Sequence, residues 1–365
     1  MRASRRFALF FPLVIGALGC ATDDQTPVTL TIRRGSSFRE AAESLAVHDV
    51  VFNARLFGFY ASQRGLDRKI EYGTYLIRRG ASWNEILTAL QLGKGLVNRA
   101  TILEGWPLWD IIPELATRLS LPTDSLEAAV RDTVLLRRLG APRGLQTLEG
   151  YLFPDTYDFP VGISARQAVD LMVRRFERVW RPEWTARLDS IPLTRHQVVT
   201  LASIVEKEVR RGEERPLVSA VYTNRLKKRM ALQADPTIQY AQHRRPGRVL
   251  YRDLRVDSPY NTYRRVGLPP GPIASPGAAS LEAALYPADV PYLFFVARPD
   301  GRHEFRRTYG EHLRAIDLVR SQARRDTAAA REAARQRDLD SATKALGLPR
   351  GVRDSLTVVK PPHAR

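Results

Sequence analysis

Thr29-LTIRRGSSFREAAES-Leu45 and Thr74-YLIRRGASWNEILTA-Leu90 align without a gap at an offset of 45 residues, with eight identities: Thr29/Thr74, Ile32/Ile77, Arg33/Arg78, Arg34/Arg79, Gly35/Gly80, Ser37/Ser82, Glu40/Glu85 and Leu45/Leu90. Each copy opens on a short strand-like run and turns at a glycine. Apolar residues at helical spacing follow: Phe38, Ala41, Ala42 and Leu45 in the first copy, Trp83, Ile86, Leu87 and Leu90 in the second. Ser37 with Glu40, and Ser82 with Glu85, are S-x-x-E capping boxes, in which the serine accepts from the third helical N–H and the glutamate reaches back to the cap. The repeat predicts small β-α units over residues 28–100. Thr101-ILEGWPLWDIIPELATR-Leu119 is a third, weaker copy, and a helical connector broken at Pro122 and Pro142 runs to 144. The repeat carries no catalytic cluster; it is either a substrate-binding module or a structural spacer.

Residues 1–20, MRASRRFALFFPLVIGALGC, have a basic start (Arg2, Arg5, Arg6) and then a 12-residue stretch of apolar and small residues, Phe7 to Leu18. That stretch falls short of the roughly 20 residues of a membrane span and suits an export signal. It ends on Cys20, the one cysteine of the chain, in a setting similar to the lipobox of bacterial lipoproteins, although Ala17 stands where leucine is usual. A lipid-anchored chain and a signal anchor with an incidental cysteine both fit. Either places the remainder outside the cytoplasm, after a polar linker over 21–27.

The whole chain has 365 residues, 44% of them apolar and 26% charged, which excludes disorder throughout and suggests about two domains with extensions. A single cysteine excludes an intramolecular disulfide framework, and six histidines without an HExxH pair argue against a zincin. The net charge of +18 points to polyanionic surroundings or merely to an arginine-rich composition. For an exported chain the relevant polyanions are the wall and the membrane surface, not nucleic acid.

Residues 145–320 hold the unusual strings. Leu148-EGYLFPDTYDF-Pro160 is aromatic, acidic and broken by Pro154, which suits either a carbohydrate cleft or a packed loop. Thr194-RHQVVTLASIVEKEVRR-Gly212 reads as a helix with Thr194 as N-cap and Gly212 as stop. At about 100° per residue, Glu208 falls roughly 20° from Leu201, on the apolar stripe, while Glu206 falls roughly 140° away, where Arg210 can pair with it in solvent. Glu208 is therefore the carboxyl that faces an apolar niche, where desolvation raises its pKa toward that of a general acid. A pair with Arg211 at the helix end is the structural alternative. Ser203 and Lys207, four apart, hint at a Ser/Lys hydrolase but lack its companion motifs. Glu214-RPLVSAVYTNRLKKRMALQADPTIQY-Ala241 is a helix followed by a polar turn, Gln233 to Thr237. Ser258-PYNTYRRVGLPPGPIASP-Gly277 has a run of prolines and glycines too irregular for regular structure, and long irregular loops inside domains are usually functional. Tyr292-LFFVARPDGRHE-Phe305 reads as a β-hairpin around Pro-Asp-Gly. A charged Ala/Arg helix from about Ala315 to about Leu346 and a Pro-ended stretch over 347–365 close the chain, with 321–365 forming a charged helical tail beyond the catalytic domain.

In order, LEGYLFPDTY, ASIVEKE, ERPLVSAVYTNRL, LQADPTIQY, SPYNTY, GLPPGPIASPG and YLFFVARPDGRHEF together resemble the endolytic murein transglycosylase, or YceG-like, family over about residues 28–320. The resemblance implies an α+β fold: a LysM-like β-α subdomain, then a mixed α/β catalytic domain over 145–320 and a C-terminal helix. It implies a membrane-anchored enzyme outside the inner membrane that cuts nascent peptidoglycan strands internally, between N-acetylmuramic acid and N-acetylglucosamine, leaving 1,6-anhydromuramyl ends. It implies no cofactor and no metal, and peptidoglycan synthases are candidate partners. The second glutamate of its VEKE string, here Glu208, is the catalytic acid that the helical wheel also selects. Gln233, Asp235, Thr237, Tyr260, Asn261 and Tyr263 are candidates for the cleft lining, with Glu149 and Tyr151 lining or bracing it. Asn261 stands where a second carboxylate would serve hydrolysis, so that Asn261→Asp is expected to admit water. A hydrolytic muramidase and a non-catalytic wall-binding protein are the alternatives on the same scaffold.

Overall fold

Strand β1 (Pro27–Ile32) begins the regular structure of a computed structural model that describes residues 25–67, 70–245 and 247–345. The segment expected to serve as an export signal and anchor, residues 1–20, lies outside those residues. The chain divides into two compact units, one ending at Val179 and the other beginning at Trp180. The division expected at 144/145 and this boundary differ.

In the first unit β1 is followed by α1 (Phe38–Val47), α2 (Ala54–Gln63), β2 (Gly73–Arg78), α3 (Trp83–Leu92) and β3 (Leu96–Thr101). Both capping boxes are formed: Ser37 accepts from the Glu40 N–H and Ser82 from the Glu85 N–H, with both glutamates returning to the cap backbone. The helical stripe read from the repeat is the core, since Ala41, Ala42, Leu45, Ile86, Leu87 and Leu90 are all buried, with Leu30, Ile32, Tyr75 and Ile77 from the strands. Helix α2, which the repeat does not contain, adds Phe57 and Ala61 to that core. Of the third copy, read from Thr101, the helix forms as α4 (Leu108–Leu119), but its strand lies earlier, since β3 ends at Thr101 where the copy was expected to begin; α5 (Thr123–Ala129) and α6 (Thr133–Arg138) follow. Strand β4 (Thr156–Pro160) pairs with β3, so the string from Leu148 to Pro160 closes the antiparallel sheet β1-β2-β3-β4. Its aromatics pack inward: Tyr151, Leu152 and Phe159 are fully buried, and α7 (Ala165–Val179) lays Phe176 edge-on against Tyr151 at 5.2 Å.

The second unit is helical around a small hairpin. It contains α8 (Pro182–Leu188), α9 (Arg195–Glu208), α10 (Arg215–Lys227), α11 (Asp235–Ala241), α12 (Ala278–Leu285), the antiparallel pair β5 (Phe294–Ala297) and β6 (His303–Arg306), and α13 (Tyr309–Ala345). Helix α9 is its central element: Val198, Val199, Leu201, Ala202, Ile204 and Val205 are all buried. Among the described residues no helix is long and apolar enough to cross a membrane.

Three local expectations are corrected. Helix α9 stops at Glu208, not Gly212, because Val209 turns extended (φ −88°, ψ 128°) and Gly212 opens a short 3-10 turn leading into α10. The Gln233–Thr237 turn is in part helix, since Asp235 starts α11 with Pro236 in its first turn, a position where proline's missing N–H costs nothing. The last helix begins at Tyr309, ahead of Ala315, whose side chain is buried.

Candidate active site

Glu208 is the last residue of α9, and its placement there changes its chemistry. The preceding turn, Ile204 and Val205, is fully buried, and the carboxyl is itself half-buried. A helix C-terminus carries a partial negative charge, which disfavours a second negative charge beside it. The Tyr222 hydroxyl, from α10, donates to Glu208 Oε1 at 2.8 Å. Burial pushes the Glu208 pKa up to about 7, the Asp235 carboxylate adds to the rise, and the Tyr222 hydrogen bond and the Arg225 charge oppose it. A carboxyl balanced near neutrality can give a proton and take one back. The expected alternative, a pair with Arg211, is not what forms: Arg211 Nη2 donates to the Asp300 carbonyl at 3.1 Å.

Glu206 is corrected. It does not pair with Arg210 in solvent; it is buried, accepts from Arg215 Nη2 at 3.1 Å and from the Gly277 N–H at 3.0 Å, and so ties α9 to α10 and to the start of α12. The wheel places Glu206 correctly on its own helix, but the loop before α12 packs against the face that an isolated helix would give to solvent. Ser203 serves the same loop. Its hydroxyl donates to the Thr200 carbonyl at 2.7 Å and accepts from the Ile273 N–H at 3.0 Å, which leaves it no nucleophilic role. His196, two turns earlier still, contacts the Pro270 carbonyl at 2.8 Å. The Pro/Gly run is thus a fixed wall along α9.

The turn at 233–237 and the loop at 258–263 are zipped together. Gln233 N–H donates to the Thr262 carbonyl at 3.0 Å, Ala234 N–H to Thr262 Oγ1 at 3.0 Å, and Tyr263 Oη to Asp235 Oδ1 at 2.5 Å. Gln233 holds a left-handed backbone (φ 53°) and is exposed, as is Asp235; Tyr260 and Tyr263 are half-buried. Thr237 and Asn261 are fully buried. Thr237 Oγ1 bonds the Ala234 carbonyl and Thr262, while the Asn261 amide donates to the Leu254 and Val256 carbonyls at 3.0 and 2.8 Å and accepts from the Tyr263 N–H at 3.0 Å. Asn261 points into its own loop, where a carboxylate would face two carbonyl oxygens. Glu149 and Tyr151 lie in the first unit: both Glu149 oxygens accept from the Leu108 N–H at the start of α4, where a helix favours negative charge.

Two residues of this site escape the sequence reading. Tyr222 is buried beside Glu208. Arg225, also buried, donates to the Leu293 carbonyl at 2.7 Å and the Leu232 carbonyl at 2.8 Å, and its guanidinium lies 5.1 Å from the Phe294 ring centre. A signal was available: Val218, Val221, Tyr222 and Arg225 follow i, i+3, i+4, i+7 spacing, and polar heads on a core stripe need buried partners.

The model of the YceG-like family matches residues 30–318, and the chain belongs to that family. Among curated relatives, the endolytic murein transglycosylase of Bacillus subtilis strain 168 is 33% identical over 310 residues, 80% of this chain and 85% of that protein. The endolytic murein transglycosylase of Streptococcus pneumoniae serotype 2 is 30% identical over 300 residues, 74% of this chain and 54% of that protein. The crystal structure of a putative yceG-like protein from Listeria monocytogenes superposes with a TM-score of 0.56 at 31% identity, covering 80% of this chain and 99% of that one.

Proposed function

We propose that this protein is a lytic transglycosylase that cuts peptidoglycan strands internally, with Glu208 as its sole acid and base. The observation that carries the reading is the Glu208 carboxyl at the end of α9, half-buried, held by Tyr222, with a pKa of about 7. Protonated, Glu208 gives its proton to the glycosidic oxygen between N-acetylmuramic acid and N-acetylglucosamine as the C1–O bond breaks. The carboxylate left behind takes the proton of the muramyl C6 hydroxyl, whose oxygen bonds to C1 and closes the 1,6-anhydro ring. The proton is returned, no water is consumed, and one carboxyl suffices where hydrolysis uses two. Gln233, Asp235, Tyr260 and Tyr263 are the proposed substrate contacts, with Thr237 and Asn261 shaping the loop behind them. The Cys20 segment anchors the chain to a membrane of the cell envelope. Residues 28–100, whose β1-α1-α2-β2 order supports a LysM-like reading, hold the wall polymer, and peptidoglycan synthases are candidate partners.

The test is cleavage of uncrosslinked glycan with mass analysis of the ends. Glu208→Gln is expected to lower the rate by about 10²–10⁴ while leaving glycan binding in place. Ends heavier by one water would mean a muramidase, and undiminished cleavage by Glu208→Gln would remove the site assignment.

A further inference from the structure

We propose that the outer face of α2 is a membrane-docking surface that lays the first unit on an anionic bilayer; the inference rests on the reading of Cys20 as the anchor. Helix α2 buries Phe57 and Ala61 and turns Leu56 and Phe59, three residues apart, outward at 50% and 63% exposure. Phe52, just before the helix, is 64% exposed and Val47 79%. The helix contains no acidic residue, and exposed Arg55 and Arg64 stand at its two ends. Apolar side chains flanked by arginines, whose stems lie along apolar surface while their heads stay wet, are what an interfacial helix presents to lipid.

The chain path says what covers this face. The Thr26 carbonyl accepts from the Arg79 N–H at 3.0 Å, and the Arg79 guanidinium reaches Asp49, between Val47 and Phe52, at 3.8 Å. Four residues beyond Arg79, Trp83 stacks on Phe52 at 5.2 Å. The chain therefore enters the unit at the edge that carries Val47 and Phe52. Cys20 lies six residues before Thr26, a reach of at most about 20 Å. A bilayer holding Cys20 is always within range of this edge, at high effective concentration. Aromatic rings also stack on sugars, but two polar groups beside these rings already bond within the protein: Tyr60 Oη donates to Asn84 Oδ1 at 3.2 Å, and Arg64 donates to the same oxygen. That favours lipid over glycan.

The experiment uses the full chain in vesicles of phosphatidylglycerol and phosphatidylethanolamine, with an environment-sensitive fluorophore on Phe59→Cys or, for comparison, on Arg324→Cys in α13. A blue shift with severalfold brighter emission at 59, quenched by nitroxide on the acyl chains, is expected, with the probe at 324 remaining solvent-like. Adding Phe52→Ser and Leu56→Ser is expected to abolish most of that quenching while the chain still floats with the vesicles. A floating chain whose probes at 59 and 324 are both solvent-like overturns the docking and keeps the anchor. A chain that fails to float overturns both and leaves the cleavage assignment standing. A probe at 59 that answers to uncrosslinked glycan and not to the nitroxide overturns the proposal in favour of a wall-binding face.

Discussion

Glu208 keeps its proton near neutrality because burial and the nearby Asp235 carboxylate act on one carboxyl in the same direction, while Tyr222 and Arg225 pull the other way. Its raised pKa means that the native state binds a proton which the unfolded chain has lost. Stability from this group is thus present below about pH 4.5 and is lost as pH rises through about 7. Activity that needs the protonated acid is expected to fall above about pH 7, read as the alkaline limb of the pH–rate profile. Tyr222→Phe removes a hydrogen bond that lowers the Glu208 pKa, so the limb is expected to move to higher pH, at a cost of about 1 kcal/mol in urea unfolding. A purely structural Tyr222 would leave the limb where it is. Asn261→Asp is expected to cost about 2 kcal/mol, since a carboxylate would meet the Leu254 and Val256 carbonyls, and to leave the ends of any cut strand anhydro; mass analysis reads the second point.

At the scale of elements, α9 divides its work by face and by turn. Ser203 and Glu206 hold the loop before α12, and only the terminal residue is left for chemistry. Breaking the largely buried Glu206–Arg215 pair with Glu206→Ala removes one partner of a guanidinium that also donates to Ser280 Oγ at 2.9 Å, and is expected to cost about 2 kcal/mol by thermal or urea unfolding. The same variant is expected to keep the alkaline limb of wild type in the fraction that folds. The contrast with Glu208→Gln separates two glutamates only two positions apart: one loses stability, the other loses rate.

At the scale of the whole molecule, the two compact units each bury their own core, and α13 extends from the second with its side chains exposed from Arg324 to Asp338. A helix that is polar all round is held by its own local pairs, such as Gln322 with Asp326 at 2.7 Å. Removing residues 324–365 is therefore expected to leave the unfolding midpoint and the cleavage rate of the second unit unchanged, checked by thermal unfolding and the glycan assay.

The residues alone determined the β-α repeat, both of its capping boxes and the hairpin around Pro299-Asp300-Gly301. Each is a local matter, settled by helical or strand periodicity and by turn chemistry within a few positions. Tertiary packing decided what periodicity cannot reach. It burned no rule of local structure in ending α9 at Glu208, but the reason lies in the turn into α10. It buried Glu206 because a distant loop arrived with an N–H to be satisfied. It brought Tyr222 and Arg225 to the acid, and set Asn261 facing its own backbone. Those outcomes depend on which groups meet across long stretches of chain, where burial, and not spacing, sets both the charge of a carboxyl and the partner of an amide.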